Sequence, residues 1–372
     1  MMPTFFCGTL SHEPLLRVVL GRSVVLEPAL LPGHAVRAAR NARSILVADT
    51  QSEAHGVLLR DFTAKDAARL EFYTGRAGAD YGEQATIVSA IATPARIAAV
   101  VERHPSQGDV WSLVDWVARW SETVVATAGD VMALYGQLPA AAVKARLGPM
   151  LVRGASRVRA ADAAPTMVRR NAAAEDVDIS AFSPGYSNFF AVEDYQLSYR
   201  RFDGSHSPQV DRAVFISGDA VTVLPYDPLR DRVLLIEQFR MGPFARGDTQ
   251  PWSLEAIAGR IDPGETPHDA ARREAIEEAG LTLGDLLPVA NYYPSPGAKS
   301  EFLYSYVALA DLPDGVEGVF GLAEEAEDIR GHLLSFEAFM ALVASGEVCN
   351  APLVLTAFWL QMERSKLREG FV

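Results

Sequence analysis

Residues Gly259 to Leu281, GRIDPGETPHDAARREAIEEAGL, constrain this chain more than any other stretch. Gly259, Glu265, Arg273, Glu274, Glu277, Glu278, Gly280 and Leu281 stand there at the spacing G-x5-E-x7-R-E-U-x-E-E-x-G-U, with U apolar. The local chemistry calls for a helix. Thr266 can cap it, Pro267 suits its first position, Asp269 lies three residues after the cap, and Gly280 can end it. In such a helix Glu274, Glu277 and Glu278 fall at i, i+3 and i+4 and share one face. Three like charges repel, so the arrangement costs stability unless a cation lies among them. Hard divalent ions such as Mg2+ or Mn2+ take all-oxygen shells, and Glu265 on the preceding loop can add a fourth carboxylate. The bland alternative is a solvated acidic face. It suffices for E-x-x-E-E alone, but not for both glycines, Glu265 and Arg273 in register.

Composition narrows the partners. At 372 residues the chain is long enough for two domains, and a hydrophobic fraction of 49% can build their cores. A formal net charge of −13 argues against nucleic acid or an anionic membrane as the main partner. It leaves an anionic nucleotide open, because a metal can supply local positive charge. The two cysteines, Cys7 and Cys349, stand at opposite ends and suit a reducing compartment. The opening MMPTFFCGTLSHEP lacks a basic stretch before an apolar core, and no run of about 18 apolar residues follows. The expectation is therefore a cytoplasmic protein with no signal peptide and no membrane span.

Residues 1 to about 100 read as short strands with one helix near 64–72. From about 107 to 165 the chain turns alanine-rich and helical. The segment PTMVRRNAAAEDVDISAFSPG lacks clear periodicity and reads as a connection. Strands resume at EDYQLSYRRFDG, and PLVLTAFWLQMERSKL reads as a closing helix. The expected division is a domain at 1–160, a linker at 161–185 and a second domain at 186–372.

The stretch 259–281 is similar to the Nudix box, the metal-binding loop–helix of enzymes that hydrolyse a nucleoside diphosphate linked to another group. Residues 186–372 resemble the ADP-ribose pyrophosphatase branch of that family over nearly their full length. The likeness extends to YRRFDG, VLPYDPLRDRVLLIEQFRMG, PWSLEAIAG, YPSPGAKSE and GLAEEAEDI. It implies an α/β/α sandwich and the hydrolysis of ADP-ribose to AMP and ribose 5-phosphate. It also implies residue roles. Glu274, Glu278, the backbone carbonyl of Ala258 and Glu327 would hold metal, with Glu277 beside them. Glu325 would be the general base, with Glu324 its rival if the loop register shifts by one. Arg273 and Glu277 belong to the same catalytic set. Arg212 and Arg240 would hold ribose or phosphates, with the surface as the alternative. Glu255 and Glu301 would line the pocket. Pro296, sixteen residues after Gly280, marks the ADP-ribose specialists, and Pro294 lies beside it. Trp252 and Tyr293 would stack on adenine or belong to a core. Ala275 stands where the family has a bulkier apolar residue and is expected to thin the packing beneath the helix. The resemblance further implies a homodimer with early strands crossing between subunits. Two alternatives stay open: a Nudix hydrolase of another nucleotide sugar, and a nucleotide sensor that has lost turnover.

Residues 1 to about 150 resemble gamma-glutamyl cyclotransferase-like domains through PTFFCGTLSHEPLLRVVLGR, with Cys7 in place of the usual tyrosine and Gly8, Thr9 and Leu10 retained. An α+β barrel-like domain with helical additions is expected. Thr74 stands where that family has its catalytic glutamate, and Glu71 and Glu83 are nearby but misplaced. Threonine is no general base near neutral pH. The domain is therefore expected to be inactive in that chemistry. The fusion resembles bacterial proteins linked by family name to tellurite resistance.

Overall fold

The computed structural model describes residues 3–39, 42–75, 84–88, 92–98, 101–102, 109–162, 164–322 and 326–370. Its contacts divide the chain into two units, Met1–Asn171 and Ala172–Val372.

The first unit contains strands β1 (Thr4–Cys7), β2 (Glu27–Ala39), β3 (Arg43–Leu59), β4 (Gln84–Val88), β5 (Ala92–Ile97) and β6 (Val101–Glu102). Its helices are α1 (Glu13–Leu20), α2 (Ala64–Thr74), α3 (Leu113–Ala133), α4 (Ala140–Lys144) and α5 (Leu147–Ala160). Successive side chains of a strand point to opposite faces, and neighbours in sequence accordingly serve different cores. Phe6 and Leu59 pack with Leu15, Leu16 and Val19 of α1 and Trp116 and Ala128 of α3. Phe5 and Leu58 pack instead with Leu31, Leu46, Ile87 and Ile97. The strand order is β1-β5-β4-β2-β3-β6, and β1 also pairs with β3. The expected barrel does not close among the described residues, because β2 and β4 share a single residue pair, Leu30 with Val88.

The second unit opens with a three-stranded antiparallel sheet of β7 (Val177–Ser187), β8 (Ala191–Tyr199) and β9 (Val210–Ile216). Strand β7 occupies the end of the segment that sequence reads as a connection. Two register shifts, at Ile179/Ala181 and Pro184/Tyr186, break its alternation and hide its period. An eight-stranded sheet follows. It comprises β10 (Ala220–Asp227), β11 (Arg232–Phe239), β12 (Trp252–Glu255), β13 (Ile257–Arg260), β14 (Leu286–Tyr292), β15 (Leu303–Leu309), β16 (Val319–Phe320) and β17 (Ile329–Ser335). Its order is β14-β15-β10-β11-β17-β16, with β12 on β11 and β13 on β10. Helices α6 (Met241–Arg246), α7 (Pro267–Ala279), α8 (Phe336–Ser345) and α9 (Ala351–Glu369) complete the unit.

Parity along the central strands builds three layers. Val221, Val223, Leu234 and Ile236 face α7, where Ala270, Ala271, Ala275 and Ala279 meet them. Leu224, Tyr226, Val233 and Leu235 face Phe336 and Phe339 of α8 and Leu353, Ala357 and Leu360 of α9. The result is an α/β/α sandwich. Among the described residues no helix is long and apolar enough to cross a membrane.

Candidate active site

Helix α7 begins and ends where its sequence says it should. Thr266 Oγ1 accepts from the Asp269 N–H at 3.2 Å, and Asp269 Oδ2 accepts from the Thr266 N–H at 3.3 Å. This reciprocal cap satisfies two otherwise orphaned donors. Gly280 ends the helix at φ 62°, in the left-handed region that glycine enters without penalty. The apolar residues buried on its inner face are all alanines, and Ala275 is fully buried beside Ala270, Ala271 and Ala279. Ala275 is thus one of four buried alanines of α7 packed in the same core, rather than a lone small residue.

Arg273 organises the carboxylates. Its Nε and Nη2 donate to both oxygens of Glu265 at 2.9 and 3.0 Å, and its Nη1 donates to Glu274 at 2.7 Å and Glu277 at 3.0 Å. Nη2 also reaches the Arg260 carbonyl at 2.9 Å. A planar guanidinium has five donors in a fixed fork, which lysine lacks. Glu265 was expected to add a fourth metal-binding carboxylate. Both its oxygens accept from Arg273, and Oε2 also accepts the Asp262 N–H at 3.1 Å. Glu265 thus pairs with Arg273 in this structure.

Glu274 and Glu278 are held differently. Glu278 is 3% exposed, and its Oε2 accepts the Ala258 N–H at 2.9 Å. The Glu274 carboxylate lies against Gly259, where an added Cβ would stand 1.8 Å from Oε1. That contact explains why glycine opens the motif. Burial, reinforced by Glu277 and Glu327, pushes the Glu274 carboxyl up to about 7 against the pull of Arg273. Burial, with Glu274 and Glu327 behind it, pushes Glu278 up to about 8 against its bond from Ala258 and the charge of Arg240. Among the described residues no three acidic side chains converge into a ready-made ligand shell. The donor chemistry nevertheless fits a hard divalent cation: oxygen donors, partly desolvated, with one arginine shared among three carboxylates.

The substrate-side candidates are spread around this centre. Arg240 makes a two-pronged pair with Glu255 at 2.9 and 2.8 Å. Burial opposes the Arg240 charge, but Glu255, with Glu278 and Glu327 behind it, holds its pKa above the ordinary arginine value. Glu327 therefore lies within the field of the same carboxylates. Its Oε2 accepts the Leu322 N–H at 3.1 Å. Glu324 and Glu325 fall outside the described residues, as does Glu83. Glu301 is bound by Lys299 at 2.8 Å and by Ser217 at 3.3 Å. Pro296 lies in the turn where Ser295 O accepts the N–H groups of Ala298 and Lys299. Arg212 is exposed on β9, its Nη1 on the carbonyl of its own neighbour Asp211 at 2.8 Å. Trp252 and Tyr293 are each 51% exposed, which removes them from the core.

Sequence reasoning missed Arg260, Phe189 and Phe190. The Arg260 guanidinium carbon lies 3.7 Å from the Phe189 ring centre and 5.2 Å from that of Phe190. No local pattern signals this contact, since 70 positions separate Arg260 from Phe190. In the first unit Thr74 donates to the Leu70 carbonyl at 2.8 Å, a bond within its own helix. A cavity of about 500 Å³ in that unit, between the β2–β3 hairpin and residues 110–113, has neither Thr74 nor Glu71 in its wall.

Comparison with known proteins adds the following. The NUDIX domain family matches residues 217–353. An ADP-ribose pyrophosphatase of Escherichia coli (strain K12) is 42% identical over 193 residues, which cover 52% of this chain and 91% of the relative. One from Haemophilus influenzae is 34% identical over 199 residues, 53% of this chain and 91% of the relative. A GDP-mannose pyrophosphatase of Escherichia coli O6:K15:H31 is 30% identical over 175 residues, 47% of this chain and 90% of the relative.

Proposed function

This chain belongs to the NUDIX family, and from that premise we propose that its second unit hydrolyses the pyrophosphate of ADP-ribose to AMP and ribose 5-phosphate. The observation that carries the reading is the carboxylate set built on α7. Glu274 and Glu278 are desolvated, backed by Gly259 and the Ala258 N–H, with Arg273 the counter-charge of Glu274 and Arg240 that of Glu278. A pyrophosphate resists nucleophiles because its own oxygens repel them. Divalent cations, Mg2+ or Mn2+, would be held by Glu274, Glu278, Glu327 and the Ala258 carbonyl, and supply charge neutralisation and activation of water.

The chain's own residues supply the rest. Arg273 keeps Glu274 and Glu277 in place by direct bonds. Arg240, set by its two-pronged pair with Glu255, presents a cation to phosphate. Arg212, Glu301 and Pro296 belong to the substrate side. Glu325 takes the proton as water oxygen bonds to one phosphorus and the bridging P–O bond breaks. A base on a separate loop avoids the pKa depression that cations impose on a carboxylate among them.

The 30% identity to a GDP-mannose pyrophosphatase favours a second reading, another nucleotide sugar processed by the same residues. A homodimer is part of the proposal. Ile179, Tyr186 and Phe202 of the three-stranded sheet region are 55%, 58% and 96% exposed, a surface that a second copy would cover. The first unit is read as non-catalytic, because Thr74 offers no base and its hydroxyl bonds within its helix. A cytoplasmic location accords with two unpaired cysteines.

The test is phosphomonoester release from ADP-ribose and GDP-mannose with Mg2+, for the wild type and Glu278→Gln. Strong ADP-ribose turnover that collapses in the variant is expected. Turnover mainly of GDP-mannose would sink the substrate assignment, and binding without turnover would sink catalysis.

A further inference from the structure

We propose that Arg260 is a positioning residue that locks the tip of the three-stranded sheet onto the metal loop and so sets how well substrate binds; this rests on the hydrolase reading above. Arg260 directly follows Gly259, the glycine that backs Glu274. Its carbonyl accepts from Arg273, the arginine holding Glu265, Glu274 and Glu277. Its guanidinium lies 3.7 Å from the Phe189 ring centre and 5.2 Å from that of Phe190, at the β7–β8 turn. One residue therefore touches both the carboxylate scaffold, through its backbone, and the neighbouring sheet, through its side chain.

The contact continues beyond the turn. Phe190 packs on Phe189 at 4.9 Å and on Phe215 of β9 at 4.8 Å. Lys299 lies over the Phe215 ring at 5.7 Å and bonds Glu301 at 2.8 Å. The backbone follows the same line, with Phe215 N–H on the Ala298 carbonyl at 2.8 Å and Ser300 N–H on the Phe215 carbonyl at 2.9 Å. An unbroken series of contacts thus runs from the metal loop to the segment carrying Pro296 and Glu301. Phe189 is 60% exposed, so its ring is held by this stacking more than by burial. Losing the guanidinium would loosen the turn and the distant substrate wall without disturbing the Arg273 bonds, which use only the Arg260 backbone.

The test is a kinetic cycle of Arg260→Met, Phe189→Leu and their double variant, with Arg260→Lys as the conservative change. It is run on whichever nucleotide sugar the wild type turns over fastest. A cation over an aromatic face contributes an amount that corresponds to about twofold to thirtyfold in binding. KM should rise by that factor in Arg260→Met, with kcat within about twofold. Arg260→Lys should recover part of the loss, and Phe189→Leu should add little in the Arg260→Met background. An unchanged KM in Arg260→Met, losses that multiply in the double variant, or a fall in kcat alone would each overturn the proposal. If Arg260→Met fails to fold, Arg260→Lys and Phe189→Leu carry the comparison. A wild type inactive on every nucleotide sugar would overturn the hydrolase reading instead.

Discussion

Glu274 and Glu278 hold protons that free carboxyls would release. Their values in the fold, about 7 and about 8, stand above the ordinary 4.5 because burial disfavours the charge. The sign of the stability effect follows. The folded state binds more protons than the unfolded one between those values, so folding is strongest below about pH 4.5 and weakens as pH rises through about 7 and 8. A divalent cation must displace those protons, so its stabilising effect grows over the same interval. The expected outcome is a Tm gain on adding Mg2+ that is small near about pH 5.5 and large near about pH 8.5, relative to protein kept in chelator. A gain that stays level with pH would refute this account of the two carboxyls. The sequence made these residues legible because i, i+3 and i+4 is a local relation. It could not show that Glu265 also pairs with Arg273, because a carboxylate that binds a cation and one that binds an arginine look the same in one dimension. Arg260 stayed invisible for a related reason: its partners Phe189 and Phe190 arrive from another strand pair.

Helix α7 was legible to the residue, since capping and termination depend on neighbours in sequence: Thr266 with Asp269 at one end, Gly280 at the other. What lies beneath it was not. The expectation of thinned packing at Ala275 treats a side chain in isolation, whereas the structure makes it one of four alanines pressed on the sheet. The two views diverge on Ala275→Leu. Were there a gap beneath the helix, leucine would fill it and raise Tm. With an alanine face already in contact, the extra volume must be absorbed by shifted side chains or backbone, at a cost of about 1–3 kcal/mol. Loss of stability by thermal melting, together with reduced turnover as Glu274 and Glu278 shift, is the expected result. Strand β7 teaches the same lesson in a sheet. Its two register shifts break the alternation that identifies a strand, so the segment read as a connection although its end, from Val177 on, pairs with β8.

The whole molecule joins two compact units in one chain, and the matched family segment lies wholly in the second. Length alone pointed to two domains, but pairings such as β1 with β3 and β5 join residues far apart in sequence, so this sheet could not be read from local pattern. Two cores with separate contact sets should melt as two cooperative transitions. Only one of them should respond to ligand, because Glu274, Glu278 and Glu327 all belong to residues 172–372. Ligand at about a hundred times its Kd stabilises the native state by about 2.7 kcal/mol. For a domain of this size that corresponds to roughly 5–10 °C. Calorimetry with Mn2+ should therefore raise one transition by that amount and leave the other in place. Ala275→Leu identifies the transition independently, since it should lower the one that Mn2+ raises. A single transition that moves as a whole with Mn2+ would mean that the two units fold as one body. The net charge of −13 fits this division of labour: the chain as a whole repels an anionic substrate, so attraction must be local, from bound cations and from arginines such as Arg240.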